Sequence, residues 1–132
     1  MSTKSIAEKL LIKPNTTVWI SDAAHLERIH PLPEGVRAVD ALDAATTALV
    51  FADDAASLRV VLDAQKDRLT RPSTFWVAYP KGNRTDINRD SLWPILGEYG
   101  LRPIAQVAVD DVWSALRFRP LNDGEAPFTG GR

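Results

Sequence analysis

The 132-residue sequence contains no cysteine and only two histidines. The lack of cysteine excludes disulfides, thiolate zinc sites and cysteine nucleophiles, and it is compatible with a reducing compartment. Glycine is missing from the first part of the chain, since none precedes Gly35. The turn after the first predicted strand reads Ser21-Asp22-Ala23-Ala24. It therefore lacks the glycines that let a backbone approach a dinucleotide or a methyl donor.

Neither sign of charge predominates, because 16 basic residues accompany 17 acidic ones and the formal net charge is −1. A nucleic-acid-binding domain usually carries a basic excess or stripe, so no nucleic-acid partner is expected. The longest apolar runs have the length of a strand and fall far short of the roughly 20 residues that span a bilayer. The N-terminal segment carries Glu8 and Lys9 inside its apolar stretch, unlike a signal peptide. We therefore expect a cytoplasmic protein without a membrane partner.

Motifs that carry chemistry are incomplete or absent. His25-Leu26-Glu27 spells the H-x-E of zinc deaminases, but the partner motif P-C-x-x-C cannot occur without cysteine. His25 and His30 do not have the i, i+4 spacing of a helical zinc pair. Neither a G-x-S-x-G elbow nor a Walker phosphate loop is present. The pair Asp110-Asp111 is interpreted as a hairpin turn. These patterns predict no metal site, no cofactor and no catalytic residue.

Apolar strand patterns alternate with helical ones along residues 1–120. The predicted strands are Thr17–Ile20, Val36–Val39, Thr46–Ala52, Thr74–Tyr79, Ile104–Val109 and Val112–Arg119. Four helices are predicted. The first begins at a Ser5 capping box, the second covers Ala23–Ile29, and the third extends from Asp53 or Asp54 to about Leu69. The fourth runs to about Tyr99, and its N-cap candidates are Thr85, Asp86, Asn88 and Asp90. This order predicts one small Rossmann-like α/β domain, with a mainly parallel sheet flanked by helices and closed by a C-terminal antiparallel hairpin. Residues 121–132 are predicted to be a disordered tail.

The segment from Thr74 to Asp90 contains the candidate ligand site. It combines a buried strand, a short polar loop and the start of a helix, at the edge where open α/β sheets bind ligands. Two cations stand beside a helix N-terminus, whose free N–H groups favour an anion, and a glycine allows a positive φ. The alternative is a solvated polar loop. The candidate ligand-binding residues are Lys81, Gly82, Arg84, Thr85 and Asp86.

Three segments carry a family resemblance. They are WVAYPKGNRTDINRD (Trp76–Asp90), SLWPILGEYGLRP (Ser91–Pro103) and QVAVDDVWSALRFRP (Gln106–Pro120). Together with AEKLLIKPN and LPEGV, they resemble an actinobacterial family catalogued as domain of unknown function number three thousand and fifty-two. The resemblance covers roughly Ala7 to Pro120 and implies no established activity. Some members of that family look richer in glycine or proline after the first strand, so Ser21-Asp22-Ala23 departs from them.

The residues favour a non-catalytic module that binds a small anionic ligand or a protein partner at the Lys81–Asp86 loop. The alternative is a degenerate methyltransferase-like enzyme that uses a nucleotide-bearing small molecule. A third hypothesis is a homo-oligomer in which the edge of the hairpin is paired, because an exposed edge strand favours pairing.

Overall fold

The computed structural model of this chain describes residues 5–82 and 85–121, and most of the predicted tail lies outside that range. The strands are β1 (Thr17–Ile20), β2 (Arg37–Ala38), β3 (Thr47–Phe51), β4 (Thr74–Pro80), β5 (Leu101–Ala108) and β6 (Trp113–Pro120). The α-helices are α1 (Ile6–Lys9), α2 (Ala55–Gln65) and α3 (Arg89–Gly97), and two 3₁₀ helices cover Ala23–Ile29 and Leu42–Ala44.

The six strands form one sheet in the order β2-β1-β3-β4-β6-β5. Strands β2, β1, β3 and β4 are parallel to one another, whereas β6 is antiparallel to both β4 and β5. This arrangement confirms the predicted α/β class and the closing hairpin. The chain leaves β1 towards β2 on one side and returns to β3 on the other. The topological switch point of the sheet therefore lies between β1 and β3.

The core has two layers, one on each face of the sheet. Helix α1 and the Ala23–Ile29 helix contribute to one layer, while α2 and α3 contribute to the other. Every residue of β3 and β4 is buried, as their near-continuous apolar runs predict for strands covered on both faces. These two strands are therefore the centre of the fold. Among the described residues, no helix is both long and apolar enough to cross a membrane.

The helix starts follow the predicted capping groups. Ser5 Oγ accepts from the Glu8 amide at 3.1 Å, and the Ser5 amide donates to Glu8 Oε1 at 2.8 Å. These bonds confirm the predicted capping box. Asp54, one of the two predicted candidates, caps α2 by accepting from the amide of Ser57 at 2.8 Å. Helix α2 nevertheless ends at Gln65, earlier than the predicted Leu69.

Other elements also differ from the sequence prediction. The Ala23–Ile29 segment is a 3₁₀ helix. Strand β4 continues through Pro80, because β6 pairs there and places Trp113 opposite the proline. Strand β5 begins at Leu101, three residues before the predicted start, since its pairing with β6 reaches Pro120. Tertiary pairing sets both strand ends, which local sequence patterns do not report.

Candidate functional site at the carboxyl edge of the sheet

The loop after β4 leaves the sheet at Lys81. The Lys81 amide donates to the carbonyl of Val112 at 2.7 Å, which ties the start of the loop to the β5–β6 hairpin. Gly82 has a φ of +74°, a left-handed conformation that favours glycine. A Cβ added to Gly82 would meet no heavy atom within 4 Å. The glycine is therefore needed for its backbone conformation, and the space beside it is open.

The end of the loop is held by the carboxylate of Asp86. Asp86 Oδ1 accepts from the amide of Ala55, the first residue of α2, at 2.8 Å. One of the free N–H groups at the start of α2 is thus bound by a side chain from a different strand-to-helix connection. Nearby, Thr85 Oγ1 accepts from the Ile87 amide at 3.3 Å. Both side chains therefore have structural partners in addition to their predicted ligand role.

Helix α3 begins at Arg89, and Asn88 supplies its capping group. Asn88 Oδ1 accepts from the amide of Ser91 at 2.9 Å, while Ser91 Oγ accepts from the amide of Asn88 at 2.9 Å. In this reciprocal pair, the Ser91 amide at the start of α3 already has an acceptor, whereas the sequence prediction left such amides for an anion. Arg84 lies outside the described residues, so its predicted contact with an anion is not placed. The ligand role of the whole Lys81–Asp86 loop stays a prediction.

The turn after β1 is bonded to the neighbouring strand β3. The Ser21 amide donates to the carbonyl of Leu49 at 2.9 Å, and Ser21 Oγ accepts from the amide of Phe51 at 2.8 Å. Asp22 Oδ1 then accepts from the Ala24 amide at 3.0 Å and caps the following 3₁₀ helix. The side chains of Ser21 and Asp22 thus accept hydrogen bonds from two backbone amides at the switch point, those of Phe51 and Ala24.

An aromatic cluster covers the adjacent end of β3. The imidazole of His25 stacks on the ring of Phe51, with a centroid distance of 4.4 Å and an interplanar angle of 7°. Trp113 meets both rings edge-on, at 4.9 Å from His25 and 5.2 Å from Phe51. The three residues come from the first strand-to-helix turn, from β3 and from β6. They join distant parts of the chain at one place.

Arg28 ties this aromatic cluster to the hairpin turn. Its Nε donates to His25 Nδ1 at 2.9 Å, and its NH1 group donates to Asp110 Oδ2 at 3.0 Å. The guanidinium carbon lies 5.6 Å from the centre of the Trp113 ring, within the range of a cation–π contact.

Asp110 is the charged member of the hairpin turn. Partial burial opposes its ionisation, but hydrogen bonds from the amides of Trp113 and Val112 and from Arg28 outweigh that effect, so the pKa of Asp110 is lowered. The two amide bonds are both 2.8 Å long. Asp110 therefore forms the Asx-type turn that the sequence predicted and also an ion pair that it did not. The partner Arg28 is 82 residues away, so no local pattern signals it.

The turn after β1 lacks the glycines that dinucleotide- and S-adenosylmethionine-binding folds place there. Such cofactors lie in the crevice outside the carboxyl ends of the strands, where glycines allow close approach of the backbone. Here Ser21 is bonded to β3, and His25 lies against Phe51 beside it. Within residues 5–82 and 85–121, no group of three or more metal-ligating side chains is brought together either.

Several solved structures share this fold at low sequence identity. A protein in the NADB-Rossmann superfamily from Streptococcus agalactiae has a TM-score of 0.58 and 12% identity, over 98% of this chain and 72% of that one. An uncharacterized protein from Listeria monocytogenes has a TM-score of 0.53 and 14% identity, over 97% and 71%. The B. subtilis M1A22 tRNA methyltransferase TrmK has a TM-score of 0.51 and 13% identity, over 92% and 68%.

No family model and no curated protein matches the chain. At 12–14% identity, the structural likeness establishes the fold and leaves the chemistry to the residues of this chain. The protein is thus a Rossmann-like α/β protein whose fold is shared with a tRNA methyltransferase.

Proposed function

We propose that this chain is a non-catalytic binding module on a methyltransferase-like Rossmann fold, and that its Lys81–Asp86 loop takes a small anionic group. That group is free or displayed on a partner protein. Membership of the actinobacterial family of unknown function is part of the same proposal. The observation that supports a non-catalytic module is the stacking of His25 on Phe51 at the switch point. In this proposal, His25 and Phe51 take the place of a cofactor at the switch point, and binding moves to the loop after β4.

The geometry of the loop supports this assignment. Its start is fixed by the bond from the Lys81 amide to Val112, and its end by the bond from Ala55 to Asp86. Between these anchors lies Gly82, whose backbone has open space beside it. Because these bonds hold Lys81 and Asp86 in place, those two residues lose little further conformational entropy when a ligand binds.

The charge for binding comes from Lys81 and Arg84. The structure brings Asp54, Asp86 and Asn88 onto amides at the starts of α2 and α3, so those amides already have acceptors. Lysine and arginine side chains are then the main source of attraction for an anion, with arginine able to bind two oxygens at once. An exposed site of this kind loses affinity as salt screens it.

The test is a titration of the protein with pyrophosphate, in which NMR monitors the backbone amide resonances of Lys81 and Gly82. We expect saturable shifts that weaken when the ionic strength is raised from about 0.01 M to about 0.1 M, as the screening length falls from about 30 Å to about 10 Å. The double variant Lys81→Ala, Arg84→Ala should lose these shifts and keep the stability of the wild type within about 0.5 kcal/mol.

The matched control removes two exposed cations elsewhere on the chain, Lys66 and Arg71. They lie after α2 and before β4, at the opposite edge of the sheet. The variant Lys66→Ala, Arg71→Ala should bind pyrophosphate as the wild type does. Equal binding by both double variants, or no saturable shift in the wild type, would refute an anion site at this loop.

A methyltransferase-like enzyme is the second candidate function. The likeness of the fold to TrmK favours it, since the structure of that tRNA methyltransferase matches 92% of this chain at a TM-score of 0.51. This candidate requires S-adenosylmethionine to enter the crevice between β1 and β3, and therefore requires His25 to leave Phe51. Binding of the methyl donor separates the two candidates.

A further inference from the structure

A concave site lies away from the carboxyl edge of the sheet and from the Lys81–Asp86 loop. It is a pocket of about 540 Å³ between α1 and the segment after the Ala23–Ile29 helix. Pockets that bind small molecules have volumes of roughly 300–1,000 Å³. The pocket is lined by Ser5, Glu8, Leu11, Ile12, Lys13, Pro14, Pro31, Leu32 and Pro33. None of these residues belongs to the Lys81–Asp86 loop, so the pocket is independent of the function proposed above.

Leu11 is held in an unusual conformation at the wall of this pocket. Helix α1 ends with hydrogen bonds from the Ile12 amide to the Ala7 carbonyl and from the Leu11 amide to the Glu8 carbonyl, both 3.0 Å long. This is the Schellman pattern, in which the residue at the position of Leu11 is usually glycine. Leu11 instead adopts a φ of +65° and stays 37% exposed.

A glycine at position 11 would relieve the backbone strain, and a polar residue there would avoid exposing a hydrocarbon side chain. Strained residues of this kind concentrate at binding sites. The leucine supplies an apolar surface where the helix end needs none. Its side chain is explained if the pocket binds an apolar group.

Much of the remaining lining is apolar and rigid. Ile12 is 2% exposed and anchors one wall in the core. Three prolines and Leu32 complete the apolar part of the lining. Because the proline rings fix φ, these walls are preformed and lose little conformational entropy when a ligand enters.

The polar groups of the lining indicate the charge of the ligand. Glu8 is already the partner of the Ser5 amide within the capping box. Lys13 is exposed and is the one cation among the lining residues. A ligand with an apolar body and a single carboxylate would match both the walls and Lys13.

We propose that this pocket binds a small amphipathic carboxylate, with its hydrocarbon body against Leu11, Ile12 and the prolines and its carboxylate on Lys13. Octanoate is the probe for the test, and octylamine is the probe of opposite charge. The indole N–H resonance of Trp76 serves as a reporter, because Trp76 Nε1 donates to the carbonyl of Leu10 at 2.9 Å, next to Leu11.

We expect octanoate to shift the Leu11 methyl resonances and the Trp76 indole resonance saturably, and octylamine to bind more weakly. Lys13→Ala should weaken octanoate binding about fivefold, the size expected of an exposed ion pair. Lys13→Glu should reverse the preference between the two probes. Leu11→Gly should abolish saturable binding without lowering the melting temperature, since it removes strain from the helix end.

Val60→Ala is the matched control, because Val60 is an exposed aliphatic residue on α2, at 69% exposure. This variant should bind octanoate as the wild type does. The proposal is overturned if octanoate produces no saturable shift, if octylamine binds equally well, or if Leu11→Gly binds octanoate with unchanged affinity. The Leu11→Gly outcome is interpretable because the melting temperature shows independently whether that variant is folded.

Discussion

His25 and Phe51 lie face to face across the switch point of the sheet, with ring centroids 4.4 Å apart. One residue follows β1 and the other ends β3, which is the place where the order of parallel strands reverses. Rossmann folds that bind a dinucleotide keep this crevice open with glycines. In this protein the two rings stack at that position, and Trp113 meets both of them edge-on.

The central position of Trp76 leads to the first prediction. Trp76 is 1% exposed in the middle of β4, and its indole N–H is bonded to Leu10. Trp76→Ala should lower the free energy of unfolding by about 3–5 kcal/mol, because it leaves a large cavity and an unpaired carbonyl. Urea unfolding measures this change. Val60→Ala, at an exposed position, should change stability by less than about 0.5 kcal/mol. A loss below about 1 kcal/mol for Trp76→Ala would contradict the central-strand packing.

Substitutions of Asp86 test whether its carboxylate stabilises the start of α2 or is available to a ligand. Asp86→Ala should lower the free energy of unfolding by about 1 kcal/mol, since the amide of Ala55 loses its acceptor at the start of α2. Asp86→Asn keeps an oxygen acceptor and should lose less. The comparison is made by urea unfolding, with the exposed Asp111→Ala as the control. If Asp86→Ala is as stable as the wild type, the carboxylate is dispensable to α2 and is available to a ligand.

The loss of folding stability at acidic pH should depend on Asp110. Hydrogen bonds from Trp113, Val112 and Arg28 lower its folded-state pKa below the ordinary value of 3.8, despite the opposing effect of burial. A lowered pKa means that the folded state favours the ionised carboxylate. Its stabilising contribution is therefore present above pH 3.8 and is lost as the pH falls through the lower folded-state value.

The measurement compares wild type with Asp110→Asn by urea unfolding at about pH 7 and about pH 3. The wild type should be the more stable at the higher pH, and the difference between the two proteins should shrink at the lower one. Asp111→Asn is the control at the adjacent exposed position, and it should show no such convergence. A difference that stays constant or grows on acidification would contradict the role given to Asp110.

Local patterns in the sequence predicted the fold because the elements that define it have strong local signals. The apolar runs of β3 and β4 and the capping box at Ser5 are readable from neighbouring residues alone. The choice between Asp53 and Asp54 was open, since either side chain is able to cap a helix. Only the bond to Ser57 decides it.

The site was less predictable, because its contacts join residues far apart in the chain. The end of a strand, a glycine and two cations predict a site in the loop after β4. The hydrogen bond from the Ala55 amide to Asp86 spans 31 residues, so no local pattern predicts it. His25 appeared in the sequence only as part of an incomplete zinc motif. Its stacking on Phe51 and its contact with Trp113 follow from strand order, which brings three segments to one edge of the sheet.

The most direct test of the proposed non-catalytic module is the melting temperature of the protein with increasing S-adenosylmethionine or NAD. We expect no concentration-dependent change with either compound, because the turn after β1 has no glycine and His25 stacks on Phe51 beside it. A ligand at a hundred times its dissociation constant would stabilise the fold by about 2.7 kcal/mol, which raises the melting temperature of a domain of this size by several degrees. A rise of that size with S-adenosylmethionine would contradict the non-catalytic module and favour the methyltransferase-like enzyme.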